Sequence, residues 1–294
     1  MLGRNHVNRW KNEVKDMKSM KKLSIVAFVL FVAVASTTWA QVVDLADVLI
    51  KAHDEGQPIP VLSLQHPAMD VEMAYGVQKA YVEKRLSKEK IAGFKAGLTS
   101  EGGQNMFGVD APLAGVLFES GKLMGDVTVD KGMFTQLMLE TEIGFVIGKA
   151  IPQSLKNMAE LQQHIKAVMP VIELPDLGFA DMKQLKGVDI IAANVAAKQF
   201  ILGQEKAVEG IELNAVMVSL SLDDQGVNIG KGTDALGDQW QAALWLVNTM
   251  IEQGWKLEPG HIVITGALGK MLPGKPGKYV ADYGSFGKIA FEIK

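Results

Sequence analysis

The sequence predicts an α+β fold, because three features of its apolar pattern point the same way. Helical spacing dominates early in the chain, strand-like runs rich in Val, Ile and Phe dominate later, and the two never settle into strict alternation. The composition suits such a fold: 48% of the 294 residues are hydrophobic and 21% are charged, inside the globular range.

Lys18, Lys21 and Lys22 precede the apolar run Leu23 to Ala35, which is followed by Ser36, Thr37, Thr38, Trp39 and Ala40. That order is the order of a secretory signal peptide, with cleavage expected after Ala40 and a periplasmic or secreted destination. A signal normally begins close to its basic residues, so Met17 or Met20 is a plausible true start. The run is well short of the roughly 20 residues that cross a bilayer, so no permanent membrane span is expected. From Gln41 to Lys294 there is no low-complexity linker, convincing repeat or abrupt change of composition, and a single domain is expected.

Val43 to Glu55 and Asp70 to Ser87 carry apolar residues three and four apart, such as Val71, Ala74 and Tyr75, and read as amphipathic helices. Asp238 to Gln253 reads as a third, stopped at Gly254. Strands are expected over Ile91 to Leu98, Met138 to Ile147, Val168 to Leu174, Leu213 to Leu222, His261 to Thr265 and Lys288 to Ile293.

The formal charge of -3 and the lack of a basic block after residue 40 argue against nucleic acid as a partner. With no cysteine, disulfides and thiolate chemistry are excluded. The histidines, His6, His53, His66, His164 and His261, show no metal-ligand spacing, and there is no Gly-x-Ser-x-Gly elbow or phosphate-binding loop. Trp240 and Trp245 lie in an apolar helical stretch and read as core or subunit-contact residues.

Side chains two apart on a strand share a face, so Glu140 and Glu142 point together, while Leu139, Thr141, Ile143 and Phe145 form the opposite, mostly apolar face. Such a pair must be solvated, protonated or neutralised by a cation, and a solvated face is the commoner case. Glu173 sits in the apolar run Val171 to Leu174, where an unpaired charge is costly. If the three converge, their oxygens suit Mg²⁺ or Mn²⁺ better than zinc. Lys95 shares its strand face with Gly93 and Gly97, which is expected to leave open space beside the ammonium, although an edge-strand lysine reads equally well. The stretch Ile264 to Gly269 follows a strand and forms either a simple turn or a set of N–H groups facing a carboxylate.

Six segments, in order, resemble the hydratase and decarboxylase branch of the fumarylacetoacetate hydrolase superfamily: Gly93 to Thr99, Phe107 to Pro112, Gly115 to Phe118, Glu140 to Ile143, Pro170 to Glu173 and Ile264 to Gly269. The resemblance implies a mixed β-sheet roll with flanking helices, usually oligomeric, with Glu140, Glu142 and Glu173 as metal ligands and Lys95 as the active-site lysine. It also implies Asn194, Thr265 and Gly266 as substrate contacts and a 2-oxo or 2-enol acid as the small-molecule partner. Hydration of 2-hydroxypenta-2,4-dienoate is the leading expectation; decarboxylation or ligand binding without turnover are the alternatives.

Several positions differ from the family pattern. An Ala-Asp-Asn-Ala-Ser element reads Ala192-Ala193-Asn194-Val195-Ala196, an arginine two residues before the first glutamate is Met138, and an acidic residue after Asp110-Ala111-Pro112 is Leu113. A Leu-Gly-His-Pro element reads Leu236-Gly237-Asp238-Gln239. The resemblance therefore leaves both a changed substrate and a binding-only role open.

Overall fold

Alternation along the strand runs resolves into two mixed β-sheets, described by a computed structural model covering residues 40–294. The expected signal segment, residues 1–39, lies outside the described residues. Ala46–Lys294 form one compact unit; of the other unit, Met1–Leu45, residues 40–45 are described and are helical. Among the described residues no helix is long and apolar enough to cross a membrane.

The larger sheet contains β1 (Ile91–Gly97), β2 (Leu113–Phe118), β3 (Lys122–Met124), β5 (Met138–Ile147), β6 (Ile165–Leu174), β7 (Gln199–Leu202), β10 (Ile262–Ile264) and β11 (Leu272–Pro273). Its order is β2-β1-β10-β5-β6-β7-β3, with β11 also paired to β5. The second sheet contains β4 (Val127–Val129), β8 (Met217–Leu222), β9 (Gln225–Lys231), β12 (Gly277–Asp282) and β13 (Lys288–Ile293), in the order β4-β13-β12-β8-β9. Parallel pairing at β1–β10, β3–β7 and β4–β13 makes both sheets mixed. The architecture is the expected α+β roll with flanking helices.

Helix α1 covers residues 40–54. The next, α2 (Val71–Arg85), starts where the Asp70 carboxylate accepts the Met73 N–H at 2.8 Å, satisfying a donor that the first helical turn leaves free. Short helices α3 (Glu101–Phe107), α4 (Met158–Gln162) and α5 (Gly187–Ala192) lie in connections that the sequence pattern left unassigned. Helix α6 (Gln239–Glu252) is capped by Asp238 and stops before Gly254, whose φ of 82° suits the left-handed turn there.

Helix α6 contacts the sheet at β1, β2 and β10, and Trp240 meets the ring of Phe145 edge-on at 5.0 Å. Leu139, Thr141, Ile143 and Phe145 are thereby buried, as their alternation predicts. The other face of β5 carries Glu140, Glu142 and Gly144.

The strand expected from Leu213 begins later than its pattern suggests. Leu213–Ala215 forms a single 3₁₀ turn before β8, because the Asn214 side chain donates to Asp238 at 2.6 Å and accepts the Gln239 N–H at 2.9 Å. Those side-chain bonds compete with the sheet ladder for the local backbone conformation.

Candidate metal and substrate site

Antiparallel register between β5 and β6 sets Glu140 directly across from Glu173, and Glu142 across from Val171. The three carboxylates thus share one face, with Glu142 diagonal to Glu173, and one oxygen from each lies within 4.8 Å of the others. Glu142 and Glu173 are fully buried. Glu140 keeps partial access to an adjoining cavity although protein atoms surround it densely.

Lys95, buried on β1, brings its ammonium to 2.7 Å from Glu173 Oε1. That contact is an ion pair not aligned as a hydrogen bond; the ammonium donates instead to the Val195 carbonyl at 3.2 Å. The Gly266 N–H donates to Glu142 Oε2 at 2.7 Å. Among the described residues Glu142 Oε1 and Glu173 Oε2 meet no hydrogen-bond donor, while Glu173 Oε1 meets the Lys95 ammonium.

Buried, unpartnered carboxylate oxygens are strongly unfavourable unless a proton or a cation meets them. Burial, reinforced by repulsion from Glu173 and partly offset by Lys95, pushes the Glu140 carboxyl up to about 7. Burial and the other two carboxylates push Glu142 well above the usual carboxylate range. Burial alone lowers the Lys95 pKa, but Glu173, Glu140 and Glu142 outweigh it and hold the ammonium above its ordinary value. One lysine against three ionised carboxylates leaves two negative charges, the charge that one divalent cation neutralises. The partnerless oxygens and the all-oxygen donor set fit a hard ion such as Mg²⁺ or Mn²⁺.

The raised Glu140 pKa sets a direction for stability. A carboxyl whose pKa is higher folded than unfolded adds stability that is present below its unfolded value, 4.5, and lost as pH rises through about 7. The difference is on the order of 3 kcal/mol at 1.36 kcal/mol per pH unit. The metal-free chain is therefore expected to melt several degrees higher at pH 5.5 than at pH 8, and Glu140→Gln to shrink that gap. A thermal melt of both proteins at both pH values checks it, and an unchanged gap in the variant would remove Glu140 as its source.

The space expected beside Lys95 is present in part: Lys95 and Gly97 line a cavity, while other segments press close against the glycines. A Cβ on Gly93 would lie 1.8 Å from the Ile262 carbonyl oxygen, and one on Gly97 would lie 2.7 Å from Val195 Cγ1. Glycine is needed there because β10 and the turn Asn194–Ala196 close against β1. In that turn Asn194, Val195 and Ala196 all have positive φ, near 50°, unusual for residues with a Cβ and especially for a β-branched valine. Such backbone persists only when its surroundings over-determine it. Here Asn194 accepts the Val116 N–H at 2.7 Å and donates to the Val116 carbonyl at 2.8 Å, and the Ala196 carbonyl accepts the Asp176 N–H at 3.0 Å. The strain aims the Val195 carbonyl at Lys95.

Asn194, Thr265 and Gly266, expected to contact substrate, have their polar groups engaged within the protein. Asn194 is committed to Val116. Thr265 Oγ1 shares its one proton between two acceptors, the Ile143 carbonyl at 3.1 Å and Gln239 Oε1 at 2.7 Å. Gly266 spends its N–H on Glu142, and none of the three lines the cavity. Asn194→Ala strands the Val116 N–H and C=O, at roughly 1–3 kcal/mol for each unsatisfied group. The expected result is a melting temperature lowered by several degrees. A purely kinetic defect, with the melt unchanged, would restore Asn194 to the substrate.

Two supporting residues carry no local sequence signal. The Tyr283 hydroxyl, at the end of the β12 hairpin strand, donates to the Val171 carbonyl at 2.8 Å and accepts the Glu142 N–H at 3.2 Å, tying the second sheet to the carboxylates. Buried Gln239 connects Thr265 to the Gly232 carbonyl. Both act across sequence separations that no periodicity reveals.

A carboxylate cluster paired with a buried lysine, on a rolled mixed sheet and open to a cavity, defines an enzyme-like polar site inside an α+β fold. Residues 114–292 match the fumarylacetoacetate (FAA) hydrolase C-terminal family, and the chain belongs to that superfamily, in its hydratase and decarboxylase branch. It is 33% identical over 236 residues to a 2-keto-4-pentenoate hydratase of Paraburkholderia xenovorans (strain LB400), covering 80% of this chain and 87% of the relative. It is 26% identical over 239 residues to a 4-oxalocrotonate decarboxylase of Pseudomonas sp. (strain CF600), covering 81% and 90%. Among solved structures, 4-oxalocrotonate decarboxylase from Pseudomonas putida G7, complexed with magnesium and adipate, shares the fold with a TM-score of 0.82. The sequence identity is 24%, and the match covers 87% of this chain and 98% of that one.

Proposed function

We propose that the chain is a metal-dependent hydratase that adds water to a short 2-hydroxydienoic acid such as 2-hydroxypenta-2,4-dienoate. The observation that carries the reading is the trio Glu140, Glu142 and Glu173, whose buried oxygens Glu142 Oε1 and Glu173 Oε2 meet no hydrogen-bond donor among the described residues, beside a charged lysine on the wall of a cavity. Relatives named as 2-keto-4-pentenoate hydratases support the reaction class.

The three glutamates would hold Mg²⁺ or Mn²⁺. Such an ion, when bound, supplies a positive centre for the acid's carboxylate and neighbouring oxygen and stabilises negative charge that develops there. The rest falls to the chain. Ketonisation moves the proton of the 2-hydroxyl to C5 and leaves a 2-oxo acid with a C3–C4 double bond. Water then bonds through oxygen to C4 while a proton is delivered to C3, giving 4-hydroxy-2-oxopentanoate. Lys95, held protonated by its carboxylate neighbours and anchored on Val195, is the proton carrier, and neutralising those carboxylates removes the main upward pull on its pKa. Tyr283 and Gly266 keep Glu142 in place, and the buried setting limits stray water.

A decarboxylase is the second reading, favoured by the 4-oxalocrotonate decarboxylase relative. Mass-resolved turnover with Mg²⁺, with and without chelator, separates the two, using 2-hydroxypenta-2,4-dienoate and 4-oxalocrotonate. Gain of one water from the first supports the hydratase, and loss of one CO₂ from the second supports the decarboxylase. Saturable binding of either with its mass unchanged would leave a binding protein.

Export and self-association belong to the same proposal. The mature chain is expected to begin at Gln41 and to be recovered outside the cytoplasm as a homo-oligomer. N-terminal sequencing and light scattering check this, and exported material retaining Leu23 would contradict cleavage.

A further inference from the structure

The cavity bordered by Lys95 and Glu140 has a volume of about 750 Å³, a size that encloses a drug-sized ligand. A five-carbon acid seated at the carboxylates would leave most of it empty. Much of the remaining wall is apolar, including Phe107, Leu177 and Ile190. Three further wall residues are large and exposed: Met106 at 76%, Ile229 at 71% and Met271 at 36%. Scattered exposed side chains of this kind are ordinary, but three on the wall of one cavity that also holds the polar site mark a surface kept for a ligand. Two of them are methionines, whose unbranched thioethers adapt to varied apolar shapes.

The charged groups on that wall argue against a second carboxylate on the ligand. Asp234 lines the cavity and already accepts the N–H groups of Gly269 and Lys231, both at 2.9 Å, so its negative charge is fixed there. Lys270 is its exposed opposite, free to lie in water.

We infer that the substrate carries an apolar group of several carbons at the end remote from its carboxylate, received by Met106, Ile229 and Met271. The inference rests on the 2-oxo acid reading above and lengthens its five-carbon example: the acid head is common to the class, and the apolar tail distinguishes this chain.

Calorimetric titration of the full chain in excess Mg²⁺ with pyruvate, 2-oxooctanoate and 2-oxoadipate tests it, since these acids bind without needing to react as dienols. Each buried methylene is worth about fourfold in affinity. Part of the tail stays wet, so 2-oxooctanoate is expected to bind at least tenfold more tightly than pyruvate, with 2-oxoadipate gaining little. Ile229→Asp, at an exposed strand position, is expected to cut the 2-oxooctanoate-to-pyruvate affinity ratio at least fivefold. Equal affinities for pyruvate and 2-oxooctanoate would overturn the tail while leaving the 2-oxo acid reading standing. Tightest binding of 2-oxoadipate would overturn it in favour of a distal carboxylate on Lys270. A ratio untouched by Ile229→Asp while the oligomer dissociates would assign the exposed apolar residues to a second copy instead. Failure of all three acids to bind would remove the 2-oxo acid reading itself.

Discussion

Replacing Glu140 and Glu142 together by glutamine is expected to weaken Mg²⁺ binding at least about 100-fold and to abolish turnover, because affinity at all-oxygen sites follows the count of charged ligands. Glutamine keeps the size of each side chain, so the loss reports charge and not a cavity. Glu142 Oε2 accepts the Gly266 N–H, a bond that a glutamine carbonyl also accepts, and the local backbone should hold. Without two of the three carboxylates, Lys95 and Glu173 remain as a neutral pair with little attraction for a divalent ion. The metal-free variant should therefore be at least as stable as the parent above pH 7, since two buried groups no longer resist ionisation. Magnesium titration by calorimetry together with a thermal melt reads both effects. Parental affinity in a folded double variant would end the case for this metal site.

Lys95→Met separates proton transfer from metal binding. A positioned acid or base contributes typically 10²- to 10⁴-fold, and a drop in kcat of that order is expected in saturating Mg²⁺. Magnesium binding should persist, because the three glutamates are intact and the lost charge repelled the ion. In metal-free buffer the same variant is expected to be less stable, since the buried Glu173 carboxylate loses the ammonium 2.7 Å away. Turnover within a few fold of the parent, with metal saturation confirmed, would take Lys95 out of the chemistry.

Much of this site is legible in the sequence because it lies on strands. Period-two alternation in Met138–Ile147 is enough to put Glu140 and Glu142 on one face and an apolar row on the other. An acidic residue inside the apolar run of β6 flags Glu173 as a charge in need of a partner. The helix boundaries at Asp70 and Asp238 are equally local, since a capping carboxylate bonds three residues ahead.

Other features are not encoded locally. Short strands such as β3, β4 and β11 span two or three residues and have no periodicity to detect. The glycines beside Lys95 suggest open space when read along one strand, and a cavity does reach Lys95 and Gly97, but the crowding of Gly93 by β10 and of Gly97 by Val195 comes from elsewhere in the chain. The partner of the Asn194 amide, Val116, lies 78 residues away.

By itself, then, the sequence determined the α+β class, the shared face of Glu140 and Glu142, and the family, because strand periodicity, capping and ordered motifs are local properties of the chain. Only the tertiary structure decided that Glu173 stands across from Glu140, that Lys95 reaches it, and that Asn194 bonds to Val116, Thr265 to Gln239 and Gly266 to Glu142. The physical reason is that strand register and the partner of a buried polar group are set by pairings between distant segments, which no window along the chain contains.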